Sequence, residues 1–208
     1  SEDNLIEQTA IDLFFNQLGW DTLLAYNKEG FGEGSTLGRL NKKEIILKKI
    51  FIEKIKEFNP GLPPKAYEEA YEKLIEESIT KSLAEINFEK HLLLRNGIPV
   101  DFINEKGELV KNKTLKVFDF DNSDNNNFLA VQQLWIEGKS NRQRRPDIIG
   151  FVNGIPLLFI ELKAAHRKLE NAYNDNFTDY KDVIPKLFYY NAFVMLSNGI
   201  ESRIGSVT

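Results

Sequence analysis

Pro146-Asp147 and, after thirteen intervening residues, Glu161-Leu162-Lys163 place two carboxylates and an ammonium among apolar residues that read as β-strands. Glu161 and Lys163 are two apart and so share a strand face, while Asp147 enters from the neighbouring strand. Two carboxylates about 4 Å apart repel by about 4 kcal/mol at an effective dielectric of about 20, so a bound divalent cation is the natural way to keep both ionised. Oxygen ligands select Mg²⁺ or Mn²⁺. Such an ion can activate water and neutralise charge on a phosphoryl group in transit, with Lys163 orienting the nucleophile or steadying developing charge. The plainer reading is that Glu-x-Lys recurs by chance in a chain that is 28% charged, and that Pro-Asp only opens a turn.

A basic strip runs through the same segment. From Lys139 to Lys168 seven cations accompany Asp147 and Glu161, a local balance of +5 in a chain of net charge −4. Lys139, Arg142, Arg144 and Arg145 are the expected phosphate contacts of a polyanion docked at that face; a solvated basic loop is the alternative.

These groups need elements to hold them. Leu5, Ile6, Thr9, Ala10, Leu13, Phe14 and Leu18 recur at helical spacing, which predicts a helix over about 4–18, stopped by Gly19. A short strand follows over 20–26, then a glycine-rich connector over 28–38, expected to be mobile and without phosphate-cradle spacing. Asn41 with Glu44 reads as a capping box starting a helix to Phe58; further helices start near Pro64 and Phe88, giving a helical block over about 41–97. Strands dominate thereafter, over 100–103, 115–120, 128–136, 148–152, 157–162 and 192–197, with a helix over about 178–190. The expected fold class is α/β, a mixed sheet flanked by helices.

Asn153-Gly154 signals a hairpin. A regular two-residue turn would set Asp147 against Ile160 and turn Glu161 to the opposite face. A shared site therefore predicts a three-residue loop, with Gly154 in positive φ as a bulge and Asp147 across from Phe159.

Composition narrows the chemistry. No cysteine is present and only His91 and His166 occur, which leaves few parts for zinc hydrolysis or a Ser/His/Asp triad. The longest apolar run, broken at Pro156 and ended by Glu161, is far short of the roughly 20 residues of a membrane span. A membrane partner is not expected, and the lack of cysteine fits a reducing compartment.

As a unit, Pro-Asp, the hairpin and Glu-x-Lys match the PD-(D/E)xK nuclease signature, and the stretch from Arg145 to Lys163 resembles the endonuclease motif of type I restriction enzyme R subunits. The resemblance extends to Gly19-Trp20, Asn59-Pro60-Gly61, Asn96-Gly97-Ile98-Pro99 and the segment from Ile184 to Asn191, nearly the whole chain. It implies one nuclease domain over 1–208, with a restriction-endonuclease-like sheet in a catalytic core at about 98–208 plus the first helix, taken from a longer polypeptide. It implies a Mg²⁺-dependent DNA endonuclease with Asp147 and Glu161 on the metal, Lys163 assisting the water, and an acid of the first helix, assigned to Glu7, helping to bind metal. The family's Gln-x-x-x-Tyr motif falls on Asn176 and Tyr180, with asparagine in place of glutamine; both are expected at the DNA. ATP use, and partnership with modification and specificity subunits, are implied only for the motor region, which has no Walker loop here. Two other readings stay open: a non-cleaving DNA-docking module of the same fold, and an interaction domain working through the helical block.

Overall fold

Asn153 and Gly154 both take left-handed backbone, at φ +51° and +79°, and join strands Ile148–Val152 and Ile155–Leu162 through a two-residue turn. In the computed structural model, which describes residues 2–167 and 169–207, this hairpin is the centre of the sheet. Lys168 of the basic strip and the final Thr208 lie outside the described residues. The elements in chain order are α1 (Glu2–Asn16), β1 (Asp21–Leu24), α2 (Lys48–Phe58), α3 (Pro64–Ile75), α4 (Leu83–Asn96), β2 (Ile98–Ile103), β3 (Leu109–Leu115), β4 (Phe128–Gln132), β5 (Ile136–Glu137), β6 (Gln143–Arg144), β7 (Ile148–Val152), β8 (Ile155–Leu162), α5 (Leu169–Asn171), α6 (Thr178–Val183), β9 (Phe193–Ser197) and β10 (Ser202–Gly205). A π-helical turn, Ala172–Phe177, joins α5 to α6.

The main sheet has the order β1-β4-β7-β8-β9-β10, with β1 parallel to β4, β8 parallel to β9 and the other neighbours antiparallel. It is the expected mixed sheet flanked by helices. Alternation along the strands gives it two apolar faces. Ala130, Ile148, Leu158, Ile160 and Leu162 pack against Ile11 and Phe14 of α1. Val131, Ile149, Phe151, Phe159 and Leu196 face the larger core, with Phe51 and Ile55 of α2, Phe177, Tyr180 of α6 and Phe188.

The hairpin register differs from expectation in an informative way. Val152 pairs with Ile155 and Phe151 with Pro156, as a two-residue turn requires; Leu157 is then passed over, and Gly150 pairs with Leu158. The surplus residue sits inside β8 instead of in the turn. Its carbonyl is taken by Ala192 N (2.7 Å) and Asn191 Nδ2 (3.2 Å). The turn stays tight because α2 closes on it: Leu47 N donates to Gly154 O at 2.8 Å, and a Cβ on Gly154 would lie 2.6 Å from Leu47 O. Beyond the bulge Ile148 pairs with Ile160, and the same register continued by one residue sets Asp147 opposite Glu161, where Phe159 had been expected.

Three helical expectations are also corrected. α1 buries Glu7, Ile11 and Phe14, while Leu5, Leu13 and Leu18 are exposed, so its inner face is rotated from the one its leucines suggest. Asn41 and Glu44 bond to local backbone (Lys43 N to Asn41 Oδ1, 2.8 Å; Leu40 N to Glu44 Oε2, 2.8 Å), neither bond being that of the expected capping box, and α2 begins only at Lys48. Ile45, Ile46 and Leu47 are all buried, and Leu47 meets the hairpin tip at Gly154; burial fixes the path into α2. The capping box that works is Ser82 with Glu85, which starts α4 five residues before Phe88. The connector is not a loose one: buried Arg39 pairs with Glu29 through both oxygens (2.6 and 2.7 Å) and donates to Glu44 O (2.9 Å) and Trp135 O (2.8 Å).

Candidate active site

The C-terminal ends of β4 and β8 and the entry to β7 meet at one edge of the sheet, and three acids converge there. Asp147, its carbonyl taken by Gln133 N (2.9 Å), accepts Leu162 N at Oδ2 (2.7 Å) and Gln133 Nε2 at Oδ1 (3.1 Å). Glu161, 2% exposed, accepts Lys163 Nζ (3.0 Å) and Asn176 Nδ2, both at Oε1. Among the described residues its second oxygen, Oε2, is buried with no hydrogen-bond partner. Glu7, 9% exposed on α1, accepts Gln132 Nε2 (2.9 Å) and Gln133 Nε2 (2.8 Å) at Oε2. One glutamine amide thus links Glu7 to Asp147.

Burial first, and then the charge of Glu161, push the Asp147 carboxyl up to about 7. Glu161 is also raised, by burial, against the lowering pull of Lys163 and Asn176. Burial disfavours the ionised form of both, a cost that a bound divalent cation would offset. Among the described residues no three His, Asp or Glu side chains stand close enough to cage an ion; the acids form an Asp147–Glu161 pair with Glu7 one amide away. Mg²⁺ asks no more, since it keeps several waters and takes one or two carboxylates. The orphaned oxygen of Glu161 fits such an ion.

The other predicted positions divide. Tyr180 is buried, its ring edge-on to Phe159 at 5.6 Å; burial and the nearby Glu161 and Asp147 raise its hydroxyl pKa. It lines the site from beneath and is not at the surface where a DNA contact would be made. Asn176, in the π-helical turn, reaches Glu161. In the basic strip, β5 pairs with β6 and carries Lys139 and Arg142 at its tip. Arg142 pairs with Asp182 (3.0 Å), and Arg144 grips Asp179 through two nitrogens, Nη2 to Oδ1 at 2.8 Å. Arg145 has its guanidinium over Tyr26 (4.4 Å) and Trp135 (5.1 Å), and Lys139 is exposed.

Several residues here were not singled out from the sequence. Gln132 and Gln133 close the apolar run of β4, and two polar residues ending such a strand were the available signal. Lys42 (to Gln143 Oε1, 2.9 Å) and Lys43 (to Glu137, 3.3 Å) join the strip from about a hundred residues away, which no local pattern reveals.

The chain belongs to the family described as the N terminus of the type I restriction enzyme R protein, which it matches over residues 1–208. It is 35% identical to the type I restriction enzyme HindI endonuclease subunit of Haemophilus influenzae, over 99% of this chain and 19% of that protein. It is 32% identical to a protein of Methanocaldococcus jannaschii provisionally named type I restriction enzyme MjaIXP endonuclease subunit, over 100% of this chain and 20% of that one. The chain therefore spans about a fifth of the length of the curated relatives it matches. No helix among the described residues is long and apolar enough to cross a membrane.

Proposed function

We propose that the chain is a Mg²⁺-dependent endonuclease domain of the PD-(D/E)xK type, serving a type I restriction subunit and hydrolysing phosphodiester bonds of duplex DNA without reading its sequence. The observation that carries this reading is the buried Glu161 Oε2, without a partner among the described residues, across the hairpin from Asp147. Family membership and the names of the relatives support DNA as the substrate.

Asp147 and Glu161 would hold the ion, Mg²⁺ or Mn²⁺, with Glu7 tied to Asp147 through the Gln133 amide. When bound, the ion supplies Lewis-acid polarisation of the scissile phosphate and a water of lowered pKa. Lys163 Nζ, fixed by Glu161 Oε1, would orient the attacking water and steady charge on the phosphate oxygens while a new P–O bond forms and the bond to the leaving sugar oxygen breaks, the water giving its proton to solvent and the leaving oxygen taking one from it. Asn176 and Tyr180 set the position of Glu161 from below. Lys139 and Arg145 take backbone phosphates, with Arg142 and Arg144 contributing as far as their aspartates release them. ATP-driven movement, and assembly with modification and specificity subunits, belong to the longer polypeptide.

A second reading has one observation in its favour. Glu7, Asp147 and Glu161 Oε1 all accept protein N–H donors, an arrangement that also suits a DNA-docking module without cleavage. Mn²⁺ titration followed by paramagnetic resonance separates the two. The native protein should bind Mn²⁺ saturably and Asp147→Ala and Glu161→Ala should not; failure of the native protein to bind overturns the nuclease reading.

A further inference from the structure

The apolar core of β4, Leu129-Ala130-Val131, gives way to two glutamines whose amides sit among carboxylates. Gln133 takes left-handed backbone at φ +59°, which few residues other than glycine adopt readily. Its N–H donates to Asp147 O (2.9 Å), fixing the entry to β7. Its side-chain nitrogen meets Glu7 Oε2 at 2.8 Å and Asp147 Oδ1 at 3.1 Å. An amide nitrogen carries two hydrogens, so one Nε2 serves both acceptors at once. Hydrogen bonds to ionised acceptors are the strong ones, and a backbone held in a disfavoured conformation to make two of them points to a role beyond packing.

We infer that the Gln133 amide fills the place between Glu7 and Asp147 that a divalent cation serving both acids would take, so that the glutamine bridge and the cation exclude each other. The inference rests on the proposed metal reading and adds a positioning residue to it. Gln133 holds two like charges together before the ion arrives, and the ion must displace it to recruit Glu7. Its presence lowers metal affinity and keeps the acids in place without metal.

The test is Mn²⁺ binding by the whole protein, read from the resonance of free Mn²⁺ and from the rise in melting temperature on adding the ion. Gln133→Met removes the donors at similar length, and Gln133→Gly removes them while accepting the left-handed backbone. Each should bind Mn²⁺ about tenfold more tightly, about 1.4 kcal/mol, and melt lower than the native protein until Mn²⁺ is added. Unchanged or weaker affinity in both variants overturns the inference, since a merely structural glutamine would not tighten metal binding when removed. Asp147→Ala is the control: if the native protein binds and Asp147→Ala does not, the metal reading stands whatever the Gln133 variants do. If the native protein binds nothing, both fall.

Discussion

Two clusters of buried charge lie within the fold, and they are built on opposite rules. Around Arg39 every charge is answered: Glu29 accepts with both oxygens and two backbone carbonyls take further donors. Around Glu161 three acids share one ammonium and a few amides, and one buried oxygen has no partner among the described residues. The first arrangement ties the segment between β1 and α2 to Trp135 and belongs to the scaffold. The second is held in place by the scaffold and would relax if any acid were removed. Burial alone does not mark function; an unanswered charge at the end of well-packed strands does.

The largest effect that could break this contrast is on cleavage. Asp147→Ala, Glu161→Ala and Lys163→Ala should each lower DNA cleavage by the intact restriction enzyme by at least roughly a hundredfold, the two carboxylate variants melting near the native protein and Lys163→Ala, which leaves buried Glu161 without its cation, melting lower. Strong destabilisation with cleavage intact would move these acids into the scaffold class. Arg39→Ala should do the reverse. Removing one partner of a buried pair costs about 3–5 kcal/mol, so denaturant unfolding should shift by about that amount, and Arg39→Met with Glu29→Leu should recover much of it. An Arg39→Ala protein as stable as the native one would show that the pair is not structural.

A smaller effect concerns pH. Asp147 takes up its proton near pH 7 when folded, against an ordinary value of 3.8. Between those values the folded state holds the extra proton, so this contribution is complete below about pH 4 and is lost as pH rises through 7. The melting temperature measured without divalent ions should therefore decline across that window, and Asp147→Asn should flatten the decline. Added Mg²⁺ should raise the melting temperature more at pH 7.5 than at pH 5.5; equal shifts would count against an ionised pair as the metal's ligands.

The smallest effect separates cations within the basic strip. Arg145→Ala with Lys139→Ala should reduce the slope of log affinity for DNA against log salt by about two phosphate contacts, each worth roughly 0.9. Arg144→Ala, which frees Asp179, should change that slope less. Equal changes from all four positions would mean that the aspartates let go when DNA binds.

Much of the site's frame was legible because it is local. Asn-Gly marks the turn, β-branched and aromatic residues mark β7 and β8, and Asp147 with Glu161-x-Lys163 stands out against apolar neighbours. What was not legible depends on residues far apart in the chain. Arg39 reaches Trp135 across 96 positions, and Gln133 reaches Glu7 across 126. The inner face of α1 could not be read from its leucines, because the sheet edge demands a glutamate there. The capping box read at Asn41 and Glu44 does not form, because each side chain takes a different backbone N–H, and the helix starts later, after Leu47 has met the hairpin tip.

The bulge at Leu157 also bears on which insertions and deletions this protein can survive. One surplus residue must lie between Asp147 and Glu161 for the two to face each other, and a turn of three residues would supply it as well as a bulge does. The tip has no room for it, because Gly154 already touches the entry to α2. Deleting Leu157 should therefore leave a well-formed hairpin with its chemistry on the wrong side. Moving that residue to the tip should restore the facing only if α2 is pushed away. Natural variation in the length of this hairpin is accordingly constrained at both ends, by a helix at one and by a pair of carboxylates at the other.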